Sequence, residues 1–216
     1  TVLLLAFDED DDGTAEDWGP NESDGFGDGV SRVIGRYGNA LRVDGAGVVT
    51  VPHNPDIAGG GPFSMELWMR HDGPSTDLEV LAVKGDPSTY GMALFGESLL
   101  FGFDESDGTE WATVSTGVTD GDWHHVVGVF DGGELSLYID GAMASSTPTF
   151  GATPALNTLD LSIGSFFGVG AALTGEIDQL RLYDEALSAS EVVDLSTDGE
   201  ACPLGGNLAL DARASA

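Results

Sequence analysis

The fold is decided by residues 122–147, DWHHVVGVFDGGELSLYIDGAMASST. Val127 and Val129 alternate with Val126 and Phe130, so both faces of this segment are apolar, as in a strand covered on each side by another layer. The turn Asp131-Gly132-Gly133-Glu134 follows, and Leu135, Leu137 and Ile139 then recur at every second position. Asp140-Gly141 supplies the positive-φ pair that a tight hairpin needs before Met143 opens a third strand. Three antiparallel strands in succession cannot bury their own apolar faces, so the pattern predicts a second sheet stacked on the first.

Short strands extend in both directions from this meander. Residues 2–7 read as a first strand, and residues 41–43 and 48–51 as a hairpin around Asp44-Gly45-Ala46-Gly47. Residues 63–70, 78–84, 91–95, 99–103, 110–115 and 159–164 read as further strands with turn signals at regular spacing. Residues 19–38, rich in Gly, Asp, Asn and Ser, read as a long irregular loop. Ser188-Ala189-Ser190-Glu191 is a capping box that opens a short helix through Leu195. Trp68 reads as core, because large aromatics dominate burial, whereas Trp111 suits core or surface equally. The predicted class is all-β: a two-sheet antiparallel β-sandwich of jelly-roll type with one short C-terminal helix. It spans residues 1–196, with residues 197–216 as a peripheral tail suited to packing on a neighbouring chain, a second copy included.

The charge balance is extreme. The chain has 216 residues, 37 of them Asp or Glu and only seven Lys or Arg, for a formal net charge of -30. The Debye length is ~8 Å at physiological ionic strength and ~3 Å at 1 M salt, so molar salt removes most of the self-repulsion of such a surface. A halophilic protein is the natural expectation. The acids interleave with Val, Leu, Phe and Trp, which argues against a disordered acidic chain. No basic patch exists to release counterions from phosphates, which excludes nucleic acid as a partner. No run approaches the ~20 apolar residues that span a bilayer. Cys202 stands alone, so no intrachain disulfide and no Cys-based zinc site is possible. Thr1-Val2-Leu3-Leu4-Leu5 lacks the charged and apolar regions of a secretory signal. Thr1 therefore reads either as the residue after a removed signal or as a start that has lost its initiator Met, and the second suits a virion protein.

The phrases WHHVVGVFDGGELSLYIDG (residues 123–141) and GEIDQLRLYDEALSASEV (residues 175–192) resemble laminin G-like domains of the concanavalin A-like lectin/glucanase superfamily. ALRVDGAGVVTVP (residues 40–52) and FSMELWMR (residues 63–70) stand upstream in the matching order, so the resemblance covers nearly the whole chain. It implies that residues 175–183 close the sandwich beside the first strand, and that the domain works outside cells, on a cell surface or a virion.

Asp8-Glu9-Asp10-Asp11-Asp12-Gly13 carries the D-x-D-x-D-G spacing of half a calcium loop, in which alternating carboxylates converge on one hard cation. Gly19 stands where the closing Glu would be, so Glu16 or Asp17 would have to complete the shell; read alone, the run is equally the solvated surface of an acidic chain. The resemblance implies a structural Ca2+ between the chain start and the closing strand, with Asp178 as a ligand and backbone carbonyls near Asp8 and Gly45. The candidate metal set is Asp8, Asp10, Asp12, Asp17, Gly45 and Asp178.

Glucanases of this fold carry E-x-D-x-x-E on one strand, because a retaining mechanism needs two carboxylates ~5 Å apart. The nearest match, Glu176-Ile177-Asp178-Gln179-Leu180-Arg181, ends in Arg and lies on the closing strand, so no catalysis is expected. His124 and His125 point to opposite faces of a regular strand and cannot chelate one ion. His53 reads as an exposed loop residue, and Asn21-Glu22-Ser23 as a glycosylation acceptor only in an exported chain. Ser165-Phe166-Phe167-Gly168-Val169-Gly170 sets two adjacent aromatics between glycines; if extended, one ring faces away from the core and can contact a ligand, and the alternative is a loop pinned by both rings. Two functions follow: a recognition module for a cell-surface glycan or glycoprotein, with Phe166 or Phe167 as ligand contacts, or a structural part of a halophilic virion or surface assembly.

Overall fold

The computed structural model describes residues 1–10, 13–73, 76–85, 89–104, 109–115 and 117–197. Asp12, Cys202 and all of the tail beyond Thr197 lie outside the described residues, as does the side chain of Trp111. Among the described residues there are fourteen strands: β1 (Leu3–Leu5), β2 (Thr14–Ala15), β3 (Gly25–Ile34), β4 (Asn39–Val51), β5 (Phe63–His71), β6 (Leu78–Lys84) and β7 (Tyr90–Phe95) come first. They are followed by β8 (Ser98–Asp104), β9 (Thr109–Ser115), β10 (Trp123–Phe130), β11 (Glu134–Ile139), β12 (Ala142–Pro148), β13 (Leu161–Ile163) and β14 (Gly175–Tyr183). Among the described residues one α-helix, α1 (Ala189–Thr197), comes last.

Among the described residues the pairings are antiparallel, and eleven strands follow one path, β12-β11-β10-β5-β14-β4-β13-β6-β7-β8-β9, with β1 on β14, β3 on β4 and β2 on β3 beside it. The sheet curls on itself, so that β9 lies against β11 and β12, and its two ends become the facing layers of a β-sandwich. The expected closure is present: β1 pairs with β14, Leu3 opposite Leu182 and Leu5 opposite Leu180.

The meander strand β10 is covered on both faces, as its sequence requires. Val126 and Phe130 enter the main core with Phe63, Phe101 and Phe103, while Val127 and Val129 pack outward with Tyr138, Tyr183, Leu187 and Val192 of α1. Between Val126 and Phe130, Gly128 lies directly under the Phe101 ring, which occupies the space a Cβ would need. The capping box forms: Ser188 N–H donates to Glu191 Oε2 at 2.7 Å and Glu191 N–H to Ser188 Oγ at 3.3 Å.

Two expectations are corrected. Residues 25–34 are a strand, not a loop; Phe26, Val30 and Val33 lie opposite Thr50, Val43 and Ala40. Residues 41–43 and 48–51 do not pair with each other as a hairpin but belong to the single long strand β4. Both halves find their partner in β3, and a register shift between Asp28 and Val30, with Gly45 at φ 85°, lets β4 bend from one layer to the other without breaking.

Candidate functional site

Asp178 leaves β14 at a bulge where Gln179 takes φ 53°. Its carboxyl is fully buried; Oδ2 accepts from Tyr37 N–H at 2.9 Å, and Oδ1 has no partner. Asp8, at the exposed rim, accepts from Asn39 N–H at 2.7 Å. The two carboxylates clasp one loop, residues 35–38: a Cβ on Gly35 would meet Asp178 Oδ2 at 2.6 Å, and one on Gly38 (φ 59°) would collide with Asp8. Burial first, and then the charge of Asp8, push Asp178 up to about 7. Desolvation likewise raises Asp8. A hard cation would relieve both effects, and the unpartnered Oδ1 is a ligand atom without a proton donor, so the pair fits a cation whose shell backbone oxygens and water complete.

The other candidate ligands lie elsewhere. Asp17 is buried and its carboxylate is consumed by backbone N–H groups, Oδ1 by Leu4 (2.9 Å) and Gly19 (2.7 Å), Oδ2 by Ser23 (2.8 Å), which corrects its assignment to the cation set. Gly45 is also displaced. Gly175, Glu176 and Ile177 pair with Val43, Arg42 and Leu41, so Asp178 faces position 40 and Gly45 lies ~17 Å further along β4. Asp10 is exposed, and among the described residues no group of three or more His, Cys, Asp or Glu is placed to hold a metal.

Glu176 of the closing strand is neutralised. Glu176 lies in cross-strand register with Arg42 and Arg70 and pairs with both, Arg42 Nη1 at 3.4 Å; Arg42 also pairs with Asp72. Arg181, which stands in place of a catalytic acid, is buried against Glu66. Glu66 is fully enclosed and accepts from Arg181 Nη1 at 2.7 Å, Tyr183 Oη at 2.5 Å and the His125 ring at 3.1 Å. Desolvation raises the Glu66 pKa, but the His125 hydrogen bond and the Arg181 charge outweigh it and hold the group below the usual range. His124 points the other way, between Asp140 (2.9 Å) and Asp120 (3.1 Å).

The second layer presents aromatics to its outer face. Phe26 pairs with Thr50, and Thr50 in turn with Ser162, so the three side chains stand in one cross-strand row. Phe26 is 59% exposed. Ser162 Oγ donates to Ser165 O at 2.6 Å and accepts from Phe167 N–H at 3.0 Å, which ties the Phe166–Phe167 loop to the row. The two rings meet edge to face at 5.4 Å; both are half-buried, and Phe167 holds φ 51°. Two strand spacings, ~10 Å, separate Phe26 from the anchor of that loop.

Beside Phe26 opens a cleft of about 420 Å³ lined by Glu22, Ser23, Asp24, His53 and Asn54. His53 is half-buried and not the free loop residue expected: its Nδ1 lies 3.2 Å from Nζ of the buried Lys84, the chain's one lysine. The sequence signal for Phe26 was Gly25-Phe26-Gly27, the same aromatic-between-glycines form as residues 165–170. A larger cleft of about 490 Å³ lies between α1 and residues 18–20, but its Arg181 and Tyr183 are committed to Glu66 and its Glu191 to the helix cap.

These features define a β-sandwich with a lectin-like fold and a polar-aromatic outer face. Residues 43–193 match the Laminin_G_3 family, and the chain belongs to that family of the concanavalin A-like lectin/glucanases superfamily. No curated protein matches the chain by sequence. Among solved structures it is similar to the binding domain of Paraclostridial Mosquitocidal Protein 1, with TM-score 0.75 and 18% identity over 90% of this chain and 51% of that one. It is similar to domain 4 of AbnA, a GH43 extracellular arabinanase from Geobacillus stearothermophilus in complex with arabinotriose, with TM-score 0.71 and 21% identity over 91% and 98%. The binding domain of Botulinum neurotoxin DC in complex with SialylT gives TM-score 0.72 and 13% identity over 92% and 51%. The chain thus spans about half the length of the two toxin binding domains and nearly all of the arabinanase domain. At these identities the likeness is one of fold. Among the described residues no helix is long and apolar enough to cross a membrane.

Proposed function

We propose that the domain is a non-catalytic recognition module that binds a glycan, free or on a glycoprotein, outside the cell and in high salt. The observation that carries this reading is the cross-strand row Phe26–Thr50–Ser162, which sets an exposed ring and the Phe166–Phe167 loop ~10 Å apart on one face. Aromatic rings give apolar sugar faces a platform, and the flanking Asp, Asn and Ser side chains hydrogen-bond hydroxyls. The spacing suits an oligosaccharide rather than a single sugar. A toxin binding domain and an arabinanase domain in complex with arabinotriose, both among the structural neighbours, support the same reading. The pairing of Glu176 with Arg42 and Arg70, and of Arg181 with Glu66, supports the absence of glycoside hydrolysis.

In this reading Asp8 and Asp178 hold a structural Ca2+, which neutralises their repulsion and locks residues 35–38 between the chain start and the closing strand. The net charge of -30 supports a halophilic setting. Isothermal titration of an oligosaccharide panel in 3 M KCl tests the function: one or more neutral or acidic glycans bind saturably, and Phe26→Ala or Phe167→Ala weakens that binding at least ~tenfold with the thermal melt unchanged. Affinity unaltered by both substitutions overturns the site, and no binding across the panel overturns the function.

A further inference from the structure

A buried amine behind the cleft beside Phe26 sets what that cleft offers a ligand, an inference that rests on the glycan-binding reading of this same face. Val51 of β4, Leu161 of β13 and Lys84 of β6 stand in one cross-strand row, which faces the core at Val51 and Leu161; His53, two residues past Val51, continues that face at the end of the sheet. Lys84 is accordingly fully buried, and its Nζ lies 3.2 Å from His53 Nδ1. We infer that Lys84 is a positioning residue: it fixes His53 as the neutral tautomer with its proton on Nε2, the donor that the cleft presents to a sugar hydroxyl, and so links ligand binding to protons.

An ammonium has only protons to give, so Nδ1 must accept from Lys84, and the single ring proton of a neutral imidazole stays on Nε2. Burial pushes Lys84 down to about 8, against the charge of Asp160, so at pH 7 the amine still carries the proton that this contact needs. His53 lines the cleft with Phe26 and Asn54, and among the described residues no partner holds its Nε2, which leaves that donor for a ligand. The backbone pins the ring as well: His53 N–H donates to Asp160 Oδ1 at 2.9 Å. Asn54, next along, donates to Ser23 Oγ and accepts from Asp56 N–H, each at 2.9 Å.

The same contact forbids a second proton. An imidazolium has no lone pair, so protonating His53 sets two donors and two positive charges against each other beside an enclosed amine, and the ring must leave Lys84. The charged groups around His53 are Lys84 from β6, Asp160 before β13, Asp56 in the turn that follows, and Glu22 and Asp24 across the cleft, where Asp24 accepts from Asp17 N–H at 2.9 Å. The carboxylates attract positive charge and so govern where in the pH range the second proton arrives. What it does on arrival is decided by Lys84: the donor is displaced from the cleft, and affinity falls toward acid pH.

The test uses the whole chain in 3 M KCl and has two readouts. Without ligand, nitrogen-15 NMR of the histidine rings, with His53 assigned by its loss in His53→Gln, reads the tautomer directly. The expected result at pH 7 is a neutral Nε2–H ring in wild type that gives way to a mixture of tautomers in Lys84→Met. An Nδ1–H ring in wild type, or a ring unchanged in Lys84→Met, overturns the inference. With ligand, titration of pentose and hexose oligosaccharides, arabinotriose among them, follows affinity from pH 7 to pH 5. The tightest binder should weaken about fivefold over that range, the worth of one ordinary hydrogen bond. His53→Gln keeps an acceptor for Lys84 and an N–H for the sugar but takes up no proton, so it should retain most of the affinity at pH 7 and hold it level to pH 5. Where Lys84→Met does not fold, wild type and His53→Gln decide the matter between them. An equal loss toward acid pH in both proteins overturns the inference and leaves the glycan site standing. No binding to any oligosaccharide at any pH overturns the glycan reading, and the positioning role falls with it.

Discussion

The buried network around Glu66 offers the sharpest test of the structure. Glu66 is wholly enclosed and Arg181 is 5% exposed; the carboxylate accepts from Arg181, Tyr183 and His125, three groups on the two strands flanking β5. Glu66→Met removes the acceptor and leaves a guanidinium, a phenol and an imidazole N–H without their partner. Breaking one side of a buried pair costs about 3–5 kcal/mol, because the remaining charge stays desolvated. Arg181 keeps Gln179 Oε1 at 3.0 Å, which softens the loss, so about 4 kcal/mol is expected for Glu66→Met. Arg181→Met strands a buried carboxylate and costs a similar amount. The double variant replaces both charges by apolar volume and should lie far above the sum, with a coupling energy above about 2 kcal/mol. Urea denaturation at pH 7 in constant 3 M KCl measures all four corners of the cycle. Additive effects, or a Glu66→Met cost below about 1 kcal/mol, would refute the enclosure of this pair. The pH sign is fixed as well: a carboxyl held below its unfolded value contributes stability above pH 4.5, and that contribution is lost as pH falls through the depressed folded value.

Three further outcomes are expected. Millimolar Ca2+ should stabilise the chelator-treated chain by about 2.7 kcal/mol at a hundredfold excess over Kd, read as a higher melting temperature, and Asp178→Asn should abolish that response; an equal response in the variant rules out the Asp8–Asp178 site. Lowering KCl below about 1 M should bring cooperative unfolding, whereas a melting temperature constant between 0.1 and 3 M would remove the case for a halophilic protein. Although burial opposes its charge, His124 is raised by its bonds to Asp140 and Asp120, so its stabilising effect is full below pH 6.5 and fades as pH climbs through the folded value. The stability difference between wild type and His124→Gln should accordingly shrink between pH 6 and 8, and an increase over that range contradicts the geometry.

The meander and the helix cap were legible because each rests on local chemistry, and the closing strand was legible through the family resemblance of residues 175–192. Alternation along β10 and β11 names the buried faces, Asp140-Gly141 names the turn, and Ser188 with Glu191 names the cap. β3 was not legible. Its outward positions carry Gly, Asp and Ser, which read as loop until a partner strand satisfies the backbone, and that partner is reached only through the bend in β4. The role of Asp17 as a residue completing a cation shell was likewise not legible, since it turned inward to bind backbone amides.

By itself the sequence determined the all-β class, the order of strands around the meander and the formal net charge of -30, while its family resemblance implied the closure of residues 175–183. Only the tertiary structure decided which of the many acids are paired, which one keeps a buried oxygen without a partner, and that Phe26 shares a face with the loop at Phe166 and Phe167. The physical reason is that alternation and capping are properties of neighbours in the chain, whereas a site depends on strand register. Register joins Phe26, Thr50 and Ser162 across the sheet, and sets Asp178 beside Asp8, through pairings that no local pattern encodes.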